Sequence, residues 1–250
     1  MLDELYLAKQ WVLEAGEQIK VALKNELHVK TKHDRKDIVT QIDVQIQEFL
    51  VGKILETYPE DVIMGEENGL NQVEVKGRMW VIDPIDGTLN FYYQKKNFAV
   101  MLGFYVDGIG EFGIIYDVMR GDMYWGQKGL GVYCNERKLV QPQERLIEDA
   151  LVAMNNFVAQ KDVLGSKMIG KASMGVRSYG SAGIEIISLL NGDTSCYISR
   201  LCPWDWASGL VLVQEFGYAA QWRHTGNQPN WDTDGDYIRI SYPKDMETYQ

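Results

Sequence analysis

Apolar residues in the first 54 positions recur three and four apart, which is the spacing of a helix with one buried face. One series, over residues 5–22, predicts a long amphipathic helix, and another, over 42–54, predicts a second. Thr40 and Asp43 have the spacing of a capping box at the start of the second helix. A basic loop, "KTKHDRKD" at 30–37, separates the two predicted helices.

Shorter apolar segments further along stop abruptly at glycine or proline, as buried strands do where they enter a turn. Residues 61–64, "DVIM", and 78–82, "RMWVI", are two such segments, and acidic residues follow both. Residues 98–133 alternate aromatic and β-branched side chains around an Asp-Gly pair, which predicts antiparallel hairpins.

The second half of the chain mixes both patterns. Residues 181–190 have a helical spacing that closes at an Asn-Gly pair, and residues 194–198 resemble another strand. Residues 203–216 predict a buried helix that begins at a proline and ends before a glycine. Helices before, between and after strands predict an α+β or mixed α/β layered sandwich.

A polar stretch at 140–150 contains "VQPQERLIED" and suggests a soft boundary in the chain. We therefore expect an N-terminal lobe, residues 1–145, that carries the acidic motifs, and a C-terminal lobe, residues 146–250. The two lobes should form one compact unit, because a chain of 250 residues with 46% hydrophobic residues can bury a sizeable core.

Charge narrows the classes of function. Lys and Arg number 25 against 35 Asp and Glu, and the net charge of −10 disfavours broad binding to nucleic acid or to an anionic membrane. The three cysteines are odd in number and lack zinc-ligand spacing, which favours reduced thiols. With no apolar segment of membrane-spanning length, we expect a cytoplasmic protein.

Asp83 and Asp86 lie three positions apart directly after an apolar run. Two carboxylates near a core repel each other unless a cation or several hydrogen bonds compensate their charge, and Mg²⁺ is a usual partner of clustered carboxylates. The alternative is that they cap a helix that begins near Thr88, although capping explains one aspartate more easily than two.

Two other phosphate chemistries do not fit. The sequence "DGTL" is similar to the nucleophile motif of haloacid dehalogenase phosphatases, but the position two residues before Asp86 is Pro84 rather than an aspartate. A phosphate-binding P-loop would need a glycine-rich run ending in Gly-Lys-Ser or Gly-Lys-Thr, and the sequence contains none.

Three motifs occur in order: "GEE" at 65–67, "DPIDGT" at 83–88 and "WDWASG" at 204–209. Together they closely resemble the inositol monophosphatase family of Mg²⁺-dependent phosphomonoesterases. The resemblance runs from "DIVTQID" at 37–43 to the end of the helix with Asp205. It implies a layered α-β-α-β-α sandwich, a homodimer, two or three Mg²⁺ ions per active site, and inhibition by lithium.

The resemblance also implies roles for individual residues. The metal ligands would be Glu66, Asp83, the main-chain carbonyl of Ile85, Asp86 and Asp205. Thr88 would orient and deprotonate the attacking water, with Asp43 as its hydrogen-bond partner and Glu66 as a second contact to that water. Gly87 and Thr88 would receive the substrate phosphate at a helix start, and Asp205 would also contact the substrate.

Alternatives remain open at this point. Asp43 has the capping-box explanation, and Asp205 fits an ordinary first-turn residue of a helix. The substrate could be an inositol monophosphate, 3′-phosphoadenosine 5′-phosphate, NADP or fructose 1,6-bisphosphate. A regulatory scaffold that retains the metal site is the alternative outside catalysis.

Substrate preference rests on one count. Counting back without gaps from Asp205 places Ile198 where animal-type members usually carry a glutamate that binds inositol hydroxyls. An isoleucine cannot accept those hydrogen bonds, although Ser199 or Arg200 could replace them, and Arg200 could meet a second phosphate. The count therefore predicts that inositol 1-phosphate is hydrolysed without strong preference over doubly charged or nucleotide phosphates.

Overall fold

The computed structural model describes residues 2–25, 27, 29–31, 38–70 and 74–249. Most of the predicted basic loop, residues 32–37, lies outside the described residues. In chain order the helices and strands are α1 (Leu2–Ala22), β1 (Val29–Thr31), β2 (Ile38–Thr40), α2 (Gln41–Thr57), β3 (Val62–Gly65), β4 (Arg78–Asp86), α3 (Thr88–Gln94), β5 (Ala99–Val106), β6 (Ile109–Asp117), β7 (Asp122–Gln127), β8 (Gly131–Cys134), β9 (Arg137–Lys138), β10 (Leu151–Met154), α4 (Asn156–Lys161), α5 (Ser166–Ala172), β11 (Gly175–Arg177), α6 (Ala182–Asn191), β12 (Cys196–Leu201), α7 (Pro203–Glu215), β13 (Ala219–Trp222), β14 (Asp236–Ser241) and α8 (Pro243–Thr248).

Within the described residues the strands form two main sheets and a small β1-β2 hairpin. The larger sheet has the order β3-β4-β5-β6-β7-β8-β9, with β3 parallel to β4 and antiparallel pairs from β4 onward. The smaller sheet has the order β11-β10-β12-β14-β13, with parallel pairs on both sides of β10. The hairpins predicted for residues 98–133 are confirmed as β5 to β8.

Helices cover the faces of both sheets, because each sheet must bury its apolar side chains against another layer. On one face of the larger sheet, α1 and α2 pack over Trp80, Phe104 and Phe112. Between the sheets lie α6 and α7, in a core that both sheets share. The outer face of the smaller sheet packs against α4 and α5. This order of layers confirms the predicted α-β-α-β-α sandwich.

The capping residues correctly predicted where α2 begins and where α6 ends. Thr40 accepts hydrogen bonds at the start of α2 in a complete capping box with Asp43, and Gly192 ends α6 in the left-handed conformation. The strand predicted for 78–82 was too short, since β4 continues across Pro84 to Asp86. Proline cannot donate to the ladder, so the register with β5 shifts between Asp83 and Asp86 while the strand continues.

The division into lobes 1–145 and 146–250 stays a prediction. The larger sheet ends at Lys138 and the smaller sheet begins at Leu151, yet α7 from the C-terminal part packs on β5 and β6 of the larger sheet. In the described part of the chain, no helix combines the length and apolar character that crossing a membrane requires.

Candidate active site

Three aspartates meet at the C-terminal end of β4. One carboxylate oxygen from each of Asp83, Asp86 and Asp205 lies within 4.8 Å of the others. In a regular strand, residues three apart point to opposite faces, so the shift of register at Pro84 is what allows Asp83 and Asp86 to turn toward one another. Asp205 reaches the same point from the first turn of α7.

The electrostatics of this trio are unfavourable without a cation. Burial, and then the charges of Glu66, Asp86 and Asp205, raise the pKa of Asp83 well above its ordinary value. Burial and neighbouring acids do the same to the pKa of Asp205, although its side chain is partly exposed. Clustered carboxylate oxygens are hard donors, and a divalent cation is the partner that would let all of them ionise.

Asp86 is held in place by the start of α6. Its carboxylate accepts hydrogen bonds from the Ser181 hydroxyl, the Ala182 N–H at 2.9 Å and the Gly183 N–H at 2.7 Å. Burial raises its pKa, and these donors act in the opposite direction. The first turn of α6 therefore fixes one acid of the trio without neutralising the other two.

Asp205 has a structural as well as a chemical position. Its Oδ2 accepts the N–H of Cys202 at 2.7 Å, which closes the first turn of α7. Asp205 is therefore both a first-turn acid of α7, the alternative that the sequence left open, and a member of the trio.

Thr88 and Asp43 form a pair beside the trio. The Thr88 hydroxyl lies 3.0 Å from Asp43 Oδ1 and 3.2 Å from the carbonyl oxygen of Ile85. Asp43 uses its other oxygen in the capping box with Thr40. One carboxylate therefore makes both contacts that the sequence left open, the helix cap and the hydrogen bond with Thr88. Burial raises the pKa of Asp43 to about 6.

Glu66 follows β3 directly and is half-buried. Its charge contributes to the raised pKa values of Asp43, Asp83 and Asp205, which places it beside the other acids. The described group within 4.8 Å contains the three aspartates alone. The structure thus brings Glu66 to the edge of the trio.

Gly87 links β4 to α3 in the left-handed conformation, with φ of 85°. A Cβ at this position would lie 2.8 Å from the Cβ of Ser181, closer than real Cβ atoms approach one another. A larger residue would therefore disturb both the turn and the contact between Asp86 and α6.

A cavity of about 230 Å³ opens beside the trio. The sequence pointed to Asp86, Asp205 and Ser199 among its lining residues. The others were not identified, although the Ser-Gly-rich run before α6 was a local signal for several of them. The described lining residues are Asp86, Asn155, Ser178, Gly180, Ser181, Ala182, Glu185, Tyr197, Ser199, Leu201 and Asp205. Five of these described residues carry neutral polar side chains and three are acidic, whereas none is a lysine, an arginine or a histidine.

Ile198, where the count expects the glutamate that binds inositol hydroxyls in animal-type members, is not among the described residues that line the cavity. Ile198 is fully buried in the core on the outer face of the smaller sheet, whereas its neighbours Tyr197 and Ser199 line the cavity. Arg200 is exposed and donates a hydrogen bond to the carbonyl oxygen of Asp234 at 2.6 Å. It is not among the described residues that line the cavity. The physical reason is strand alternation, since side chains one residue apart face opposite sides.

Comparisons with known proteins agree on one family. The family model described as "Inositol monophosphatase family" matches residues 1–239. The inositol-1-monophosphatase of Bacillus subtilis (strain 168) is 39% identical over 222 residues, which cover 86% of this chain and 83% of that protein.

Solved structures agree as well. An inositol monophosphate-bound SaIMPase-II has a TM-score of 0.84 at 33% identity, covering 99% of this chain and 92% of that one. An IMPase/NADP phosphatase complexed with Mg²⁺ and phosphate has a TM-score of 0.89 at 25% identity, covering 99% of this chain and 93% of that one.

Proposed function

The chain belongs to the inositol monophosphatase family, and we propose that it is a Mg²⁺-dependent phosphomonoesterase that hydrolyses a small phosphate monoester such as inositol 1-phosphate. The observation that carries the proposal is the trio of aspartates within 4.8 Å, next to the hydrogen-bonded pair of Thr88 and Asp43. Acids to bind a cation and a hydroxyl-carboxylate pair to hold a water are the two parts that this hydrolysis requires.

The donor set fits Mg²⁺. Asp83, Asp86 and Asp205 offer oxygen atoms, the donors that this ion prefers, and their raised pKa values indicate that positive charge is needed. We propose that Glu66 and the carbonyl oxygen of Ile85 complete the set. When bound there, Mg²⁺ supplies positive charge that neutralises these acids and stabilises the charge developing on the phosphate.

Thr88 and Asp43 would prepare the water that attacks phosphorus. The Thr88 hydroxyl donates to Asp43 and can accept a proton from that water, with its own proton passing to Asp43. Asp43 Oδ1 is placed for this transfer, because it lies 3.0 Å from the Thr88 hydroxyl oxygen. Glu66 would orient the same water from the end of β3.

The substrate would span the site from the start of α3 to the cavity. We propose that the main-chain N–H groups of Gly87 and Thr88 receive the phosphate, in a turn to which only glycine is suited. The alcohol part would then occupy the 230 Å³ cavity, where Tyr197 and Ser199 offer hydrogen bonds to its hydroxyl groups.

The lining of the cavity favours a monoester with an uncharged, hydroxyl-rich alcohol. A second phosphate would find no cationic side chain among the described lining residues, and desolvating it without a partner is unfavourable. We therefore propose the opposite preference to the one that the count to Ile198 predicts. Inositol 1-phosphate fits such a cavity, and this choice is supported by the family description and by a similar structure that has inositol monophosphate bound.

Phosphate release from a panel of substrates, with and without Mg²⁺, tests the proposal. The panel contains inositol 1-phosphate, 3′-phosphoadenosine 5′-phosphate, NADP and fructose 1,6-bisphosphate. We expect Mg²⁺-dependent release, with the highest kcat/KM for inositol 1-phosphate. No release from any member, with Mg²⁺ binding retained, would instead support the regulatory scaffold.

We also propose a cytoplasmic homodimer that lithium inhibits. The three cysteines are free, which suits a reducing compartment, and the remaining support is family membership. Light scattering after gel filtration measures the oligomeric state, and a lithium titration at fixed ionic strength measures the inhibition. A monomeric mass would contradict the proposed homodimer, and unchanged activity in lithium would contradict the proposed inhibition.

A further inference from the structure

Gln47 on α2 is buried, with 1% of its surface exposed, and its amide pairs with the main chain of Glu67. Gln47 Oε1 accepts the N–H of Glu67 at 2.8 Å, and Gln47 Nε2 donates to the carbonyl oxygen of Glu67 at 2.5 Å. Only one orientation of the amide satisfies both bonds, because donor and acceptor must each meet their complement. Gln47 therefore fixes the peptide groups on both sides of Glu67.

This contact lies in the turn that carries Glu66. Gly65, on the other side of Glu66, pairs with Ile82 of β4 and donates to the carbonyl oxygen of Leu70 at 3.0 Å. A Cβ on Gly65 would lie 2.6 Å from Gln47 Oε1, so the close approach of α2 to the turn depends on glycine. The backbone is thus held immediately before and after Glu66.

The same helix holds the other side of the site. Asp43, which binds Thr88, lies four residues before Gln47, and residues four apart share one face of a helix. Their separation along the axis is about 6 Å, set by the rise of 1.5 Å per residue. One rigid element thereby sets where Thr88 and Glu66 lie relative to each other.

We propose that Gln47 is a positioning residue, which acts on Mg²⁺ binding and turnover by holding Glu66 through the main chain of Glu67. The inference rests on the proposed function and adds a residue that contacts neither substrate nor metal. Its effect reaches the reaction through the orientation of one carboxylate, so it should alter kcat and the Mg²⁺ requirement more than the KM for substrate.

The variant Gln47→Leu tests this, because it keeps the volume of the side chain and removes both hydrogen bonds. We expect kcat for inositol 1-phosphate to fall about 10- to 100-fold and Mg²⁺ binding, measured by calorimetry, to weaken by a similar factor. The KM for inositol 1-phosphate should stay within about threefold. Hydrogen exchange of the Glu67 amide should accelerate, because its acceptor is gone.

Glu48→Gln is the matched control. Glu48 is the next residue of α2, is exposed, and accepts a hydrogen bond from Asn68 Nδ2 at 3.2 Å, so it contacts the same turn at Asn68. We expect its kcat, Mg²⁺ affinity and Glu67 exchange to match the wild type. If Gln47→Leu does not fold, Gln47→Asn keeps an uncharged amide with a shorter reach, and the same changes should appear in the same direction.

The outcomes separate the two proposals. An active wild type with an equally active Gln47→Leu, or a variant whose Mg²⁺ binding is unchanged, would overturn the positioning role and leave the proposed function standing. Equal losses in Gln47→Leu and Glu48→Gln would overturn it as well, since that pattern reports the turn in general. A wild type without Mg²⁺-dependent phosphate release would overturn the function and this inference together.

Discussion

The two ends of strand β4 treat acidic residues in opposite ways. At its start, Arg78 donates to Asp61 at 2.8 Å and to Glu4 at 3.1 Å, and the hydrogen bond to Asp61 raises the pKa of Arg78. At its end, Asp83 and Asp86 face Asp205. The pKa of Asp83 is raised first by burial and then by the charges of the neighbouring acids.

The difference separates acids that an arginine neutralises from acids that repel one another, and we propose that the second group binds the metal. Arg78 pairs with Asp61 and Glu4, whose side chains are 6% and 11% exposed. Its positive charge compensates for the burial of these two carboxylates. The trio at the other end destabilises the metal-free fold through mutual repulsion. Clusters of acids with perturbed pKa values are typical of functional sites, and this is the basis of the proposed metal site.

The largest effect is expected at the end of the strand. Asp83→Asn should lower Mg²⁺-dependent phosphate release by roughly 10³-fold or more, because several kcal/mol of charge stabilisation depend on the bound ion. Its metal-free form should unfold at the same or a higher temperature than the wild type, since one repelling charge is removed. Full activity at limiting Mg²⁺ would exclude Asp83 from the metal site.

Thr88→Ala is expected to have the next largest effect. Loss of the hydroxyl that bonds to Asp43 should lower kcat by about 10²-fold with little change in Mg²⁺ affinity. Thr88→Ser retains the hydroxyl and should stay near the wild-type rate in the same steady-state assay. Similar rates for the alanine and serine variants would return Thr88 to the role of a helix start.

The start of the strand should respond in stability rather than in activity. Arg78→Met leaves Asp61 and Glu4 without this cation and should lower the free energy of unfolding by roughly 2 kcal/mol, or about 4 to 8 °C in Tm. Calorimetric unfolding measures the loss, and kcat per folded molecule should not change. A large fall in kcat would break the proposed separation between the two ends.

Asp245 is a buried acid that lies outside the candidate site. Burial raises its pKa from 3.8 to about 6. The folded state then binds the proton more tightly than the unfolded state, so this contribution to stability is present below about pH 4 and is lost as pH rises through about 6.

Asp245→Asn should therefore raise Tm at pH 8 and leave it nearly unchanged at pH 4. The exposed Asp149→Asn serves as the control and should shift neither value. An equal shift at both pH values would show that the effect of Asp245→Asn does not come from its titration. This effect is expected to be the smallest of the four and to occur without any change in Mg²⁺ binding.

The parts of this molecule that local sequence determines were predictable. The capping box of Thr40 and Asp43 and the apolar periodicity of α1 and α2 involve neighbours in sequence, and the fold follows from how such elements must be layered. Asp83 and Asp86 were recognisable because two carboxylates after a buried strand have few structural uses, whereas Glu66 and Asp205 were expected only from the resemblance to the family.

Contacts between distant segments were not predictable in the same way. The bond from Ser181 to Asp86 joins residues 95 positions apart, and the pairing of Gln47 with Glu67 depends on how α2 lies on β3. Ile198 is a further example, since neighbouring side chains on a strand face opposite sides and the cavity receives Tyr197 and Ser199 instead. The lining of the cavity therefore had to come from the structure.

We propose that the acids at the end of β4 bind a cation, whereas Arg78 neutralises those at its start. Calorimetric titration of Mg²⁺ into wild-type, Asp83→Asn and Arg78→Met protein distinguishes the two ends. Saturable binding is expected in the wild type and in Arg78→Met, and weakened or absent binding in Asp83→Asn. Equal Mg²⁺ binding by Asp83→Asn and the wild type, or its loss in Arg78→Met alone, would rule out a cation site at the end of β4.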